Sequence, residues 1–172
     1  MRCTRKVLRH ASGMVVWGVT ISGCTAIRTA AQDYAITRTA SSPYASTITA
    51  TPEQACNLKQ LQALTGRLLF ITRMWRPDIR YTVQRMCTKT KAPTQQDLAN
   101  GFRILTYLLG TKDEGIQLGP TRKEPVDIFI DAGEESLKDR ATSGILIRIG
   151  NSPILWASRK QDVTTLSSTE AE

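Results

Sequence analysis

The sequence predicts an α+β protein in which helices and strands are segregated along the chain. Apolar residues recur at helical spacing from Leu58 to Leu109. After Gly119 and Pro120 the period switches to two, and three short β-prone runs follow, separated by turn residues. The expected organisation is a helical unit over 53–112 and an antiparallel sheet of three strands within 120–172. Residues 1–52 fit neither pattern and read as a strand plus a linker. With 41% apolar and 22% charged residues the 172-residue chain sits near the soluble average, so it can bury a core and is not a disordered tail.

The amino end allows two readings. Arg2, Arg5, Lys6 and Arg9 precede an apolar run from Met14 to Ile21, and small residues lead on to Cys24, which is the layout of a secretory or mitochondrial presequence. The run is about half a membrane span, which excludes a transmembrane helix. Val15, Trp17 and Val19 alternate with Val16, Gly18 and Thr20, which favours a strand covered on both faces. Residues 22–50, rich in Ser, Thr and Ala with few large apolar side chains, read as linker.

The helical unit opens on its start signals. Thr51 can cap a helix, Pro52 suits its first turn, and Gln54 stands where a capping box wants its partner. Leu58, Leu61, Leu64, Leu68 and Ile71 form the buried stripe, and Pro77 stops the helix near Trp75. A second helix over 78–88 buries Ile79, Val83, Met86 and Cys87. Pro93 separates it from a third, which Thr94 and Asp97 start, Leu98, Phe102, Leu105 and Leu109 face inward, and Gly110 ends.

In the last third, Val126, Ile128 and Ile130 alternate with Asp127, Phe129 and Asp131 in a strand that ends on a carboxylate. Ile145, Ile147 and Ile149, the turn Gly150 to Pro153, and Ile154 to Ala157 read as a hairpin. Ser167 to Glu172 look like the first turn of a helix, capped by Ser167 or Ser168. A helix that begins where a chain stops has no length in which to bury a face, so the sequence reads as an unfinished design.

Charge is distributed unevenly. Residues 1–60 carry seven basic and two acidic residues, a net of +5, and residues 61–112 carry nine against two, a net of +7. Residues 113–172 hold seven basic and eleven acidic residues, a net of −4, which brings the chain to +8. A basic middle beside an acidic end suits a part that grips a polyanion next to a part that gathers carboxylates. Cys3, Cys24, Cys56 and Cys87 form no CxxC pair and His10 is the only histidine, which argues against a zinc site and against Cys/His or Ser/His catalysis. Reduced thiols in an intracellular setting are expected.

Several blocks then fall into one order: Leu64 to Thr72 (LTGRLLFIT), Arg76 to Val83 (RPDIRYTV), Pro93-Thr94 leading to Arg103 to Thr111 (RILTYLLGT), Ile130 to Ala132 (IDA) followed by Arg140 to Gly144 (RATSG), and Leu155 to Gln161 (LWASRKQ) leading to Leu166 to Glu172 (LSSTEAE). Each block is weak alone. Together, over residues 60–172, they resemble the Pol polyprotein of copia-type retrotransposons, at the end of the reverse transcriptase and the start of the ribonuclease H domain. Trp17 to Ile21 and Gln32 to Tyr34 faintly resemble the segment that precedes this region.

The resemblance implies a connection or thumb-like helical unit, then a partial ribonuclease H-like sheet cut short. The parent makes DNA on RNA and hydrolyses the RNA of RNA:DNA hybrids, using Mg²⁺ ions that carboxylates hold. Asp131 on the first strand matches the first carboxylate and Glu172 the second, with Glu170 the less fitting choice. The others lie beyond the matched blocks, and the polymerase's paired aspartates lie upstream of them. Two carboxylates of four hold Mg²⁺ weakly, since this ion keeps its waters unless charge and geometry are both supplied, so no bound metal and no nuclease activity are expected of this chain alone. Gly133 and Glu134 stand where the family usually places an Asp and a Trp, which loosens the packing expected there.

The same resemblance lays the basic helices along a hybrid, where Arg73, Arg76, Arg80, Lys89, Lys91 and Arg103 are the expected phosphate contacts. Trp75 and Tyr107 are expected in the core. A rival of another class is a co-opted module that holds nucleic acid without catalysis. A third is an exported protein cleaved near Cys24. No membrane partner is expected.

Overall fold

The computed structural model describes residues 2–9, 15–44, 57–119, 125–133 and 140–162. In chain order it runs β1 (Arg2–Arg9), β2 (Val15–Ser22), α1 (Cys24–Asp33), α2 (Leu58–Met74), a 3-10 turn over Pro77–Ile79, α3 (Arg80–Thr88), α4 (Gln95–Gly110), β3 (Ile116–Leu118), β4 (Val126–Gly133), β5 (Thr142–Ile149) and β6 (Ser152–Lys160). Most helix and most sheet occupy separate stretches of chain, which is the α+β class. The chain divides into two compact units, Met1–Cys3 with Ile21–Gly115, and Thr4–Thr20 with Ile116–Glu172. The expectations placed on Thr51 to Gln54, on Glu134, on Glu170 and Glu172 and on the turn over 167–172 fall outside the described residues.

The first unit is built around α2. Asn57 caps it, its Oδ1 accepting from the amides of Lys59 and Gln60 at 3.1 and 3.3 Å. Such a cap satisfies donors that a first helical turn leaves open. Leu61, Leu64, Leu68 and Ile71 are buried along one stripe, while Leu58, in the first turn, is exposed. The chain then turns at Pro77, which supplies the fixed φ of the short 3-10 segment before α3. Ile79, Val83 and Met86 close the core from that side.

Two expectations are corrected here. Residues 24–33 of the supposed linker form α1, because Ile27, Ala30 and Ala31 recur at i, i+3 and i+4 and are all buried. Alanine is small enough to face a helix neighbour and is the best helix former, so this stripe lacked the large side chains that advertise a core. On α4 the buried stripe is Leu98, Gly101, Ile104, Leu105 and Leu108, turned from the expected Leu98, Phe102, Leu105 and Leu109. A Cβ at Gly101 would stand 2.6 Å from Leu64 Cδ2 and 2.7 Å from Met86 Cε. The missing side chain lets α4 approach α2 and α3 on its glycine side, and Phe102 packs instead against Tyr34 with ring centroids 5.5 Å apart. The start of α4 is as expected, a reciprocal capping box between Thr94 and Asp97.

The second unit holds two three-stranded sheets, ordered β1-β2-β3 and β4-β5-β6. β1 and β3 were not expected. β4 pairs antiparallel with β5, matching Ile128 to Ile147, Ile130 to Ile145 and Asp131 to Gly144. β5 pairs antiparallel with β6, matching Ile145 to Ala157 and Ile147 to Leu155, with a bulge between Ile147 and Arg148. Side chains alternate across a strand, so Val126, Ile128, Ile130, Ile145, Ile147, Ile149 and Leu155 share one face. That face is open, Ile130 being 68% exposed and Ile128 60%.

Candidate nucleic-acid interface

The end of α2 is organised by two buried residues. Trp75 is 1% exposed, and its ring lies where a side chain at Gly23 would stand, 1.8 Å from a Cβ placed there. Phe70 meets the same ring edge-on, with centroids 5.7 Å apart. Next to Trp75, Arg76 is also 1% exposed. Its Nε donates to Asp78 Oδ1 at 2.9 Å and its Nη2 to Asp78 Oδ2 at 2.6 Å, a two-pronged fit to the carboxylate. Its Nη1 donates to the Thr111 carbonyl at 2.9 Å, and Nη2 reaches Thr111 Oγ1 at 2.8 Å. Tyr107 lies under the guanidinium at 5.3 Å and its hydroxyl donates to Asp78 Oδ2 at 2.9 Å.

This network ties the end of α2 to the end of α4, and its electrostatics follow. Burial works against the Asp78 carboxylate, but the hydrogen bonds and charge of Arg76 outweigh it and hold the acid below its ordinary value. Burial likewise opposes the Arg76 cation, and Asp78 more than offsets it. Tyr107 is pushed up, by burial first and then by the carboxylate it donates to.

The six cations expected at phosphates therefore separate. Arg76 was expected to meet a phosphate and does not present itself to one, since its donors are taken inside the unit. Arg103 is half-buried, and its Nε donates to the Ser42 carbonyl at 3.0 Å, holding the segment after α1 onto α4. Arg73, Lys89 and Lys91 are exposed and Arg80 is half-buried. Burial pushes the Cys87 thiol up, while the charges of Arg80 and Arg73 pull it the other way, so both arginines gather around one residue of α3. Lys89 caps the carboxyl end of α3, where a cation suits the helix dipole. Trp75 is in the core as expected, and Tyr107 is half-buried.

Asp131 stands exposed near the end of β4, opposite Gly144. On the same side of the strand, Asp127 is paired with Arg148 at 2.9 Å, and that guanidinium lies 4.9 Å over Phe129. Nothing lies within 4 Å of a side chain placed at Gly133. Among the described residues no group of three or more metal-ligating side chains comes together. Among the same residues no helix is long and apolar enough to cross a membrane.

The comparisons with known proteins add the family. The chain is 36% identical over 115 residues to the retrovirus-related Pol polyprotein from transposon RE1 of Arabidopsis thaliana, and 33% identical over 115 residues to that from transposon RE2. The chain is a relative of retrotransposon Pol polyproteins. The match takes in 66% of this Pol relative and 8% of each of those two proteins, so it spans a small part of their length. A secreted RxLR effector protein of Plasmopara viticola is 28% identical to the Pol relative over 119 residues, 82% of that protein. No protein-family model matches the chain, and no solved structure does.

Proposed function

We propose that the helical unit of this Pol relative holds the sugar-phosphate backbone of nucleic acid, as the connection between a reverse transcriptase and its ribonuclease H domain would. The observation that carries this reading is the fate of the acids. Residues 61–112 hold nine basic and two acidic residues, and the two acids are Asp78, engaged by Arg76 and Tyr107, and Asp97, engaged in the Thr94 capping box. Both acids of this stretch are thus engaged within the fold, while Arg73, Lys89 and Lys91 stand exposed to solvent.

In the same reading the β4-β5-β6 sheet is the opening of a ribonuclease H-like domain. Asp131 and Glu172 are the inherited members of its carboxylate set, and Mg²⁺ belongs to the parent enzyme. This chain alone is a non-catalytic binder, because two carboxylates supply too little charge and too few ligands for a hard cation. The test titrates the full chain against an RNA:DNA hybrid at rising salt, with magnesium present. Binding that weakens steeply with salt and leaves the RNA strand intact is expected. Absence of binding at low salt, or cleavage that Asp131→Asn abolishes, would overturn it.

A further inference from the structure

Phe70 is 55% exposed on the end of α2 that carries Arg73, in a unit whose Trp75 is 1% exposed. Its edge contact with Trp75 holds the plane of the ring, at 84° to the indole, and Trp75 is itself wedged against Gly23. Arg73 and Met74 follow Phe70 at i+3 and i+4, which makes them its neighbours on the helix surface, and Met74 is 38% exposed. Arg73 and Arg80 both bring positive charge to Cys87 on α3. Tyr34, Tyr107 and Tyr44 each have a guanidinium over the ring, from Arg67, Arg76 and Arg85. Among the described residues no guanidinium stands over Phe70.

We infer that Phe70, flanked by Arg73, is a stacking platform for single-stranded nucleic acid, a refinement that rests on the nucleic-acid reading of this unit. A paired duplex keeps its base faces inside the stack and offers phosphates, which a flat phenyl ring does not engage. An unpaired base offers a π face, and every base has one, so a ring with adjacent cations binds single strands with little regard to sequence. The ring is held before the ligand arrives, so little side-chain freedom is lost on binding. The charge of +7 over residues 61–112 complements the strand's phosphates.

The experiment measures fluorescence anisotropy of a labelled ten-nucleotide oligothymidylate and of an RNA:DNA hybrid of equal length, on the full chain and its variants over a range of salt. Phe70→Ala is expected to weaken the single strand about tenfold and to leave the hybrid and the salt slope unchanged. Phe70→Trp should keep single-strand affinity, which separates stacking from a folding defect. Arg73→Ala should weaken both ligands and lower the single-strand slope by about 0.7. Unchanged single-strand affinity in Phe70→Ala, with hybrid binding intact, would overturn the platform alone. Failure of the unsubstituted chain to bind either ligand would overturn the platform together with the reading beneath it.

Discussion

Arg76 marks how far residue-by-residue reading reaches. In the sequence it is one cation among nine in a basic stretch, and the family resemblance puts it with the expected phosphate contacts. Its partners, Asp78 at i+2 and Thr111 at i+35, become visible only when α2 and α4 are packed. The energetic consequence is sharp, because a buried guanidinium stripped of its counter-ion keeps its desolvation cost. Asp78→Ala should therefore destabilise the helical unit by about 2 kcal/mol, the low end for such pairs because the Asp78 side chain is 36% exposed. Chemical denaturation measures it. The pH dependence has a definite sign. The folded chain holds Asp78 below its ordinary 3.8, so this stabilisation is present above that value and is lost as pH falls below it toward the folded-state value. Asp78→Asn should flatten the acid limb of the stability curve; an unchanged acid limb would show that the pair carries no such linkage.

At the scale of elements, local signals with a mechanism were legible. Thr94 and Asp97 predicted the start of α4, which a capping box forms, and the alternation from Val126 to Asp131 predicted β4, although it extends on to Gly133. The hairpin of β5 and β6 was readable from its turn residues in the same way. α1 was not, because its buried stripe is made of one isoleucine and two alanines in a Thr-rich stretch. β3 has three residues, too few to show a period. The rotation of α4 rests on a close approach at Gly101, and a glycine reports only that a side chain is missing. The open sheet face makes its own prediction. β4 is the edge of its sheet and carries Val126, Ile128 and Ile130 more than half exposed on one side. Long apolar edges of this kind promote association between chains. Ile130→Lys should raise the concentration at which the chain stays monomeric in light scattering, with little change in unfolding midpoint; unaltered association would place the contact elsewhere.

For the whole molecule, charge distribution was the most informative feature of the sequence and also the least specific. It separated a basic helical stretch from an acidic one, and the first compact unit, over Ile21–Gly115, contains all of that basic stretch. It did not reveal which cations are spent inside the fold. Packing divides them: Arg76 and Arg103 hold helices and segments together, Arg73, Lys89 and Lys91 are exposed, and Arg80 is half-buried with its Nε and Nη1 enclosed; the proposal keeps these last four as phosphate contacts. The carboxylate half of the prediction divides differently. Asp131 is placed on β4, while Glu172 lies outside the described residues. On the proposed reading, both halves occur in one chain through descent from a Pol polyprotein, which the likeness to two such proteins supports.

The central claim is that these four cations, and not net charge in general, grip the nucleic-acid backbone. The most direct measurement is the salt dependence of hybrid binding for two full-length variants that each lose four positive charges. One replaces Arg73, Arg80, Lys89 and Lys91 by Gln; the other replaces Lys59, Arg140, Arg159 and Lys160. Taking one cation away from a phosphate should lower the slope of log affinity against log salt by about 0.9, so the first variant should lose about 3 to 4 from the slope and the second almost none. Equal slopes for the two variants would mean that the helices attract polyanions only through bulk charge, and would contradict the account.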